Sequence, residues 1–281
     1  MGEIIIHGVL YGAMIALMAV GFQLIFGILR VVNYAHGEFL MWGALTVYFL
    51  VAQANVPYFV ALLISVVAFG VVGFFTDKAI MRRFHGDLMG GAMVTLAMLL
   101  FLLNLGWFAL GPRAHGIPSA VTGKWEIFGT FVTAEQLLGL GISISVLIAF
   151  AWFLKFTKLG KSMRAAQQDE EASLTLGINI KYVTAVTFAL ATSLAALTGS
   201  LMAAMYHIEP PMGGPPLIFS FIVVILGGLG SVPGAFIASF VIGFQQALTD
   251  VYLGPQWSQA VSFGIAMLVL TIFPRGLMGH D

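Results

Sequence analysis

Long stretches without a charged residue restrict the fold of this chain more than any other feature. Seven runs contain no Asp, Glu, Lys or Arg, and they cover residues 4–29, 39–76, 88–112, 136–154, 182–208, 210–249 and 251–274. Hydrophobic residues make up 60% of the sequence and charged residues only 9%, which is too apolar for a water-soluble domain. We therefore expect an integral membrane protein in which residues 1–281 form one transmembrane domain.

The lengths of the runs predict how often the chain crosses the membrane. A helix needs about 20 apolar residues to span the hydrocarbon core. Runs 39–76 and 210–249 are too long for one crossing, and each has an internal break, at residues 53–57 and 227–234. Each is therefore expected to fold back once. The sequence predicts an all-α polytopic membrane protein with nine transmembrane helices, or eight if residues 216–226 only re-enter the membrane.

The basic residues predict the orientation of these helices. If successive runs alternate in direction, ten of the twelve Lys and Arg residues lie on the same side as residues 155–181, among them Arg30 and Arg275. Only Arg113 and Lys124 fall on the other side. Because cytoplasmic loops carry an excess of basic residues, the sequence predicts an N-terminus outside the cell and a C-terminus in the cytoplasm.

A charged segment, residues 160–179, separates the fourth run from the fifth. Asp169 is a candidate N-cap, two glutamates follow it in the first turn, and Gly177 can adopt the left-handed conformation that ends a helix. These features predict a short helix over about residues 170–176 outside the bilayer, within a loop of about 157–181. The residues fit two roles, docking onto another protein or a solvated loop that only enforces topology.

Polar residues cluster where the first run ends, at Asn33, His36 and Glu38. We expect them close to the cytoplasmic face. His36 and Glu38 would point away from each other on one helix and could not form a pair. Two interpretations are open: these residues gate the inner end of a pathway, or Asn33 caps the second helix while Glu38 favours its dipole. Capping is the simpler account.

The glycine-rich break at residues 227–234 permits tight turns, and its Pro233 is expected to start the next helix. Gly227, Gly228 and Gly230 are candidate pathway residues, because non-helical backbone at membrane depth is tolerated where it is buried in protein or faces water. A hairpin at the cytoplasmic surface is the simpler account. No cysteine is present, so disulfides and thiolate metal sites are excluded, and a net charge of zero predicts no nucleic-acid partner.

The charged segment resembles a known loop. Glu171-Ala172-Ser173, followed by Gly177, is similar to the EAA-type loop of ATP-binding cassette importer permeases, in which Glu-Ala-Ala precedes a Gly in the same way. Ser173 stands where that loop has Ala, and it keeps the side chain small. The residues that this resemblance implies for coupling to an ATPase are Asp169, Glu170, Glu171, Ala172, Ser173, Leu174 and Gly177.

Three longer segments, residues 21–43, 166–204 and 222–243, resemble the branched-chain amino acid transporter permeases in order and separation. The specific motifs are Asn-Tyr-Ala-His-Gly-Glu at 33–38 and Gly-Gly-Leu-Gly-Ser-Val-Pro-Gly at 227–234. The chain length is most similar to the shorter of the two permease subunits in such systems.

The resemblance implies a non-catalytic subunit of an inner-membrane importer for branched-chain or related amino acids or similar small polar solutes. Its partners would be a second permease subunit, two cytoplasmic ATPase subunits that hold ATP and Mg, and a periplasmic or extracellular substrate-binding protein. The chain would hold no cofactor, metal or catalytic residue of its own. The alternative is an ion- or proton-coupled secondary carrier, which would need ionisable residues at mid-membrane, and the charge-free runs contain none with a formal charge.

Overall fold

The computed structural model describes residues 1–127, 129–274 and 276–278. The first four helices follow the charge-free runs. Their bounds are α1, Gly2–Leu29; α2, His36–Tyr48, continued by a π-helical turn at Phe49–Gln53; α3, Tyr58–Ala79; and α4, Leu88–Leu110. Pro57 precedes α3 and Asp87 caps α4 by accepting a hydrogen bond from Gly90 N. The predicted fold-back at residues 53–57 is therefore confirmed.

A β-hairpin and the charged segment occupy the middle of the chain. The hairpin pairs β1, Lys124–Ile127, with β2, Thr130–Thr133, in antiparallel register; the sequence did not predict it. Thr133 then forms a capping box with Gln136 that starts α5, Ala134–Phe156. Two short helices follow: α6, Lys158–Gln168, and α7, Glu170–Thr175.

The last four helices return to the bundle. Their bounds are α8, Ile180–Met205; α9, Gly214–Gly227, preceded by a 3-10 turn at Pro210–Gly213; α10, Val232–Tyr252; and α11, Ser258–Ile272. Pro233 lies in the first turn of α10 and Ser231 caps it. The predicted break at residues 227–234 and the role of its proline are confirmed.

Seven of the helices are long and apolar enough to cross a membrane. With α2 and α11, the described residues place nine apolar helices in the bundle, so the prediction of an all-α polytopic membrane protein is confirmed. We call the two ends of the bundle the hairpin end, where β1 and β2 lie, and the charged end, where α6 and α7 lie. The predicted position of Arg275 falls outside the described residues.

The order of helices in the first part of the bundle recurs in the last part with inverted direction. α1 and α8 are long, α2 and α9 have 13 and 14 residues, and each short helix follows an irregular segment, residues 30–35 or 206–213. Packing follows the same correspondence: α1 packs along α10 as α8 packs along α3, and α2 packs on α4 as α9 packs on α11. The bundle is therefore an inverted repeat of the kind found in membrane transporters.

The two short helices begin inside the bundle and not at its ends. The ring Nε2 of His36 lies 3.2 Å from the carbonyl oxygen of Met18, which is about 24 Å along α1 from its start and about 16 Å from its end at 1.5 Å per residue. A Cβ atom added at Gly37 would lie 2.5 Å from the carbonyl oxygen of Gly213. The first turn of α2 therefore meets the residue before α9, and we call this contact the half-helix junction.

Candidate functional site

The irregular segments that lead to the half-helix junction, residues 30–35 and 206–213, are enclosed by protein. Val31, Ala35 and Ile208 are fully buried. The Thr95 hydroxyl donates to the carbonyl of Val32 over 2.8 Å, and Ile208 exchanges two backbone hydrogen bonds with His115. Irregular backbone inside a membrane bundle persists only with such partners. The two breaks are therefore built into the fold and hold the start of each half-helix in place.

Asn33 and His36 lie deeper than the sequence predicted. Both side chains are 0% exposed, and His36 is level with the middle of α1 because residues 30–35 run back into the bundle before α2 begins. The prediction that they lie close to the surface at the charged end is therefore wrong. The capping role of Asn33 is also wrong: Ala35 is the N-cap, and within the described part of the chain neither polar atom of the Asn33 side chain has a hydrogen-bond partner.

Glu38 lies in the first turn of α2, where a carboxylate favours the helix dipole, as the sequence predicted. Its side chain is only 5% exposed, and its Oε2 atom has no hydrogen-bond partner among the described residues. His36 Nδ1 is likewise without one. Buried polar atoms normally have partners, so the Asn33 side chain, His36 Nδ1 and Glu38 Oε2 are each candidate contacts for a polar solute.

The glycine-rich turn joins α9 to α10 at the charged end. Gly228 and Gly230 have φ angles of 100° and 89°, which favour glycine. A Cβ atom at Gly227 would strike the backbone of Gly234. The side chain of Gln23 donates to the carbonyl of Gly228 over 3.1 Å. The turn therefore has the geometry of a hairpin, and it is tied to α1; a pathway role for its glycines stays a prediction.

The α6 helix also contacts the turn between α9 and α10. Thr157 caps α6 through a hydrogen bond from Gly160 N, and the α6 face with Met163 and Ala166 is buried. The Gln167 side chain donates to the carbonyl of Gly230. The charged segment and the turn between α9 and α10 are therefore in direct contact.

The short helix predicted in the charged segment is confirmed as α7. Asp169 accepts a hydrogen bond from Ala172 N at 2.9 Å, and Gly177, with φ of 79°, closes the C-terminal end. Of the helix residues, only Ser173 is buried. Leu174 is 56% exposed, and Leu176, the C-cap residue, is 79% exposed. The helix therefore presents acidic and apolar side chains outward, away from the bundle.

Sequence reasoning missed a buried acid at the charged end, Asp77. It is 0% exposed at the end of α3, its Oδ1 lies 3.1 Å from His85 Nε2, and the Thr184 hydroxyl donates to its Oδ2 over 3.5 Å. Arg82 donates to the carbonyl of Lys181. These contacts fasten the end of α3 to the start of α8. The sequence did contain a signal for this role, because Asp77 directly precedes a cluster of basic residues, Lys78, Arg82 and Arg83.

Helices that break at membrane depth, packed as an inverted repeat, define the class of membrane transport proteins. The chain belongs to the family described as "Branched-chain amino acid transport system / permease component", which it matches over residues 4–270. Within the described residues, no group of three or more His, Asp or Glu side chains is placed to hold a metal ion.

Relatives of known name cover nearly the whole chain. It is 29% identical to LivH of Salmonella typhimurium, a high-affinity branched-chain amino acid transport system permease protein, over 98% of this chain and 94% of LivH. It is 28% identical to BraD of Pseudomonas aeruginosa, a permease protein of the same description, over 98% and 95%. LivM of Escherichia coli, again so described, is 22% identical over 93% of this chain and 67% of LivM. No solved structure matches the chain at a significant level.

Proposed function

We propose that this chain is the membrane-spanning permease subunit of an ATP-binding cassette importer that moves branched-chain or related amino acids into the cytoplasm. It would pair with a second permease subunit, as the existence of both LivH and LivM in Escherichia coli suggests. Two cytoplasmic ATPase subunits would hold ATP and Mg, and a substrate-binding protein would deliver the solute. The charged end would face the cytoplasm, and the chain itself would be non-catalytic.

The observation that carries this proposal is the shape and exposure of α7. It is a capped helix of six residues that projects from the bundle and buries only Ser173. Leu174 and Leu176 are exposed beside Glu170 and Glu171, a mixed apolar and acidic surface suited to a groove in another protein. A loop that served only to enforce topology would not need a cap at both ends or exposed leucines.

A chain of contacts connects α7 to the interior of the bundle. Asp169 lies between α6 and α7, Gln167 of α6 bonds to Gly230, and Gln23 of α1 bonds to Gly228. The turn that these residues hold is the end of α9, and α9 starts at the half-helix junction. A displacement of α7 by a bound ATPase would therefore reach the junction through α6 and α9.

The solute pathway is proposed to pass close to the half-helix junction. The N-terminal ends of α2 and α9 both lie there, and helix N-termini carry partial positive charge suited to a carboxylate. Asn33, His36 and Glu38 supply buried polar atoms without protein partners in the described chain. These groups match the polar ends of an amino acid, while the surrounding bundle is apolar.

Reversing one charge on α7 tests the coupling. Glu171→Lys is expected to lower capture of the ATPase subunit about tenfold or more, because like charges at an interface cost several kcal/mol, and to lower uptake with it. Glu126→Lys is the matched control, since Glu126 is an exposed glutamate of β1 at the hairpin end. Both variants should insert in the membrane equally. Unchanged capture and uptake in Glu171→Lys would refute the docking assignment.

One observation favours the second candidate, an ion- or proton-coupled carrier. The structure places Glu38 inside the bundle with one carboxylate oxygen unpartnered among the described residues, and such intramembrane acids often carry coupling ions. Uptake in vesicles without ATP or ATPase subunits, abolished by an ionophore and by Glu38→Gln, would establish this function. Uptake that requires ATP and survives the ionophore would exclude it.

A further inference from the structure

A cleft of about 1080 Å³ lies at the charged end of the bundle. The end of α1, the start of α4, the end of α5, one face of α6 and the turn before α10 all line it. Its volume is at the upper limit of ordinary small-ligand sites. It lies apart from both α7 and the half-helix junction, because no residue of either lines it.

Three basic side chains line the cleft: Arg30 directly after α1, Lys155 in the last turn of α5, and Arg164 in the middle of α6. Arg164 donates from Nη2 to the carbonyl of Lys155 over 3.3 Å, which holds α6 against α5. No Asp or Glu is among the described lining residues, and in the described chain none of the three cations has a carboxylate within 4.0 Å.

Other groups add to the positive character of the cleft. The N-cap and first turn of α10, Ser231 to Pro233, line it, and a helix N-terminus carries partial positive charge. The side-chain amides of Gln167 and Gln168 also line it. Arg30 and Lys155 each lie at the C-terminal end of their own helix, and a cation is favourable there, so their positions have an explanation within the helix. The same explanation does not apply to Arg164, which lies in the middle of α6.

Below this charged rim the cleft is apolar. Phe26 is partly exposed and lies four residues before Arg30 on α1, which is about 6 Å deeper at 1.5 Å per residue, and the exposed Ala151 lies about 6 Å deeper than Lys155 on α5. Leu88, the first residue of α4, adds an exposed apolar side chain at the level of the rim. The cleft therefore has the two-part chemistry of an amphiphile, with cations at the level of the helix ends and hydrocarbon beneath them.

We propose that this cleft binds an anionic phospholipid, with its phosphate at Arg30, Lys155 and Arg164 and an acyl chain along Phe26 and Ala151. Basic pockets between transmembrane helices are known to hold such headgroups. Free phosphate would use only the rim and leave the apolar wall uncovered. An acidic surface of a partner protein would also leave the apolar wall uncovered. The apolar residues below the rim therefore favour a lipid over either of these ligands.

The test is native mass spectrometry of the full chain in detergent with added dioleoyl phosphatidylglycerol or phosphatidylcholine. The parent chain is expected to retain phosphatidylglycerol preferentially. The triple variant Arg30→Gln, Lys155→Gln, Arg164→Gln should lose about fivefold in affinity per charge, about a hundredfold in all, at the strength usual for basic residues near anionic lipid. The matched control removes three charges from the same end that do not line the cleft: Lys158→Gln, Lys161→Gln, Lys181→Gln. It should stay within about threefold of the parent.

A second pair of variants tests the apolar wall without changing charge. Ala151→Phe should block lipid retention, whereas Ala149→Phe, two residues away and also exposed but outside the cleft, should not. Equal losses in both triple variants would overturn the proposal. Displacement of the lipid by millimolar inorganic phosphate would also overturn it, because that result would indicate a site for free phosphate. If the cleft triple variant lost ATPase capture but retained the lipid, the cleft would be a protein contact, and the proposal would again be wrong.

Discussion

The half-helix junction yields the sharpest prediction, because its two backbones touch. A Cβ atom at Gly37 would lie 2.5 Å from the carbonyl oxygen of Gly213 and 3.1 Å from Leu217 Cβ. A Cβ at Gly213 would in turn strike the backbone of Gly37. Neither obstacle is the flexible end of a side chain, so alanine at either position must push α2 and α9 apart.

The size of the effect follows from this geometry. Ordinary contact begins at 3.4 Å, so Gly37→Ala requires a separation of about 0.9 Å. Overpacking of this kind costs about 1–3 kcal/mol, more than the roughly 0.5–1 kcal/mol that alanine gains over glycine in a helix. We expect Gly37→Ala and Gly213→Ala each to be less stable than the parent. The double variant should cost less than their sum, because one displacement relieves both clashes.

Gly214→Ala is the matched control. It is the next residue along the chain, and a Cβ atom there meets no atom within 4 Å. The measurement is the free energy of unfolding of the detergent-solubilised chain from denaturant titration, with the slope of the transition checked for constancy. Gly214→Ala should stay within about 0.5 kcal/mol of the parent. If Gly37→Ala is as stable as the parent, or if the control loses as much, α2 and α9 do not meet as described.

Three further predictions concern hydrogen bonds. Asp77→Asn should lower the free energy of unfolding by about 1–3 kcal/mol, since Asp77 is buried against His85 and Thr184; a neutral result in denaturant titration would contradict that anchoring. Asp169→Ala should weaken ATPase capture by loss of the α7 cap, worth about 1 kcal/mol, while Asp169→Asn should retain it; equal loss in a pull-down would implicate the charge instead. Ser262→Ala should cost about 1–3 kcal/mol, because its hydroxyl donates to Gln245 between α11 and α10, and an unchanged unfolding midpoint would contradict it.

The fold was predictable where polarity alone decides it. Lipid excludes charge, so the charge-free runs of the sequence became helices. The break at residues 53–57 became a turn because the residue before a proline disfavours the helical conformation, and the break at 227–234 did because Gly228 and Gly230 adopt positive φ angles. The cap at Asp169 was predictable for the same local reason. Each of these features depends only on residues that are adjacent in the sequence, so each can be predicted from the sequence alone.

The candidate site was not predictable to the same degree, because it depends on distant contacts. Asn33 and Glu38 have the composition of a helix start at a membrane surface, which is why a capping role was preferred. Their depth follows from His36 reaching Met18 and from Gly37 meeting Gly213, a residue 176 positions away. Neither contact has a sequence signature that a single chain reveals. The inverted repeat has no such signature either, because it relates packing partners and not residue types.

The hydrogen bonds of the charged end indicate which half-helix would respond to a movement of α6 and α7. The Gln167 side chain donates a hydrogen bond to the carbonyl of Gly230 in the turn after α9, so α9 is linked directly to the charged segment. α2 begins at the far side of the junction and packs along α8, with its first residue bonded to the middle of α1. Glycine at both contact positions lets the two backbones touch. If α7 is the docking helix proposed above, a movement of α6 acts first on α9 through Gln167, whereas α2, with Asn33, His36 and Glu38, is reached through α8 or α9.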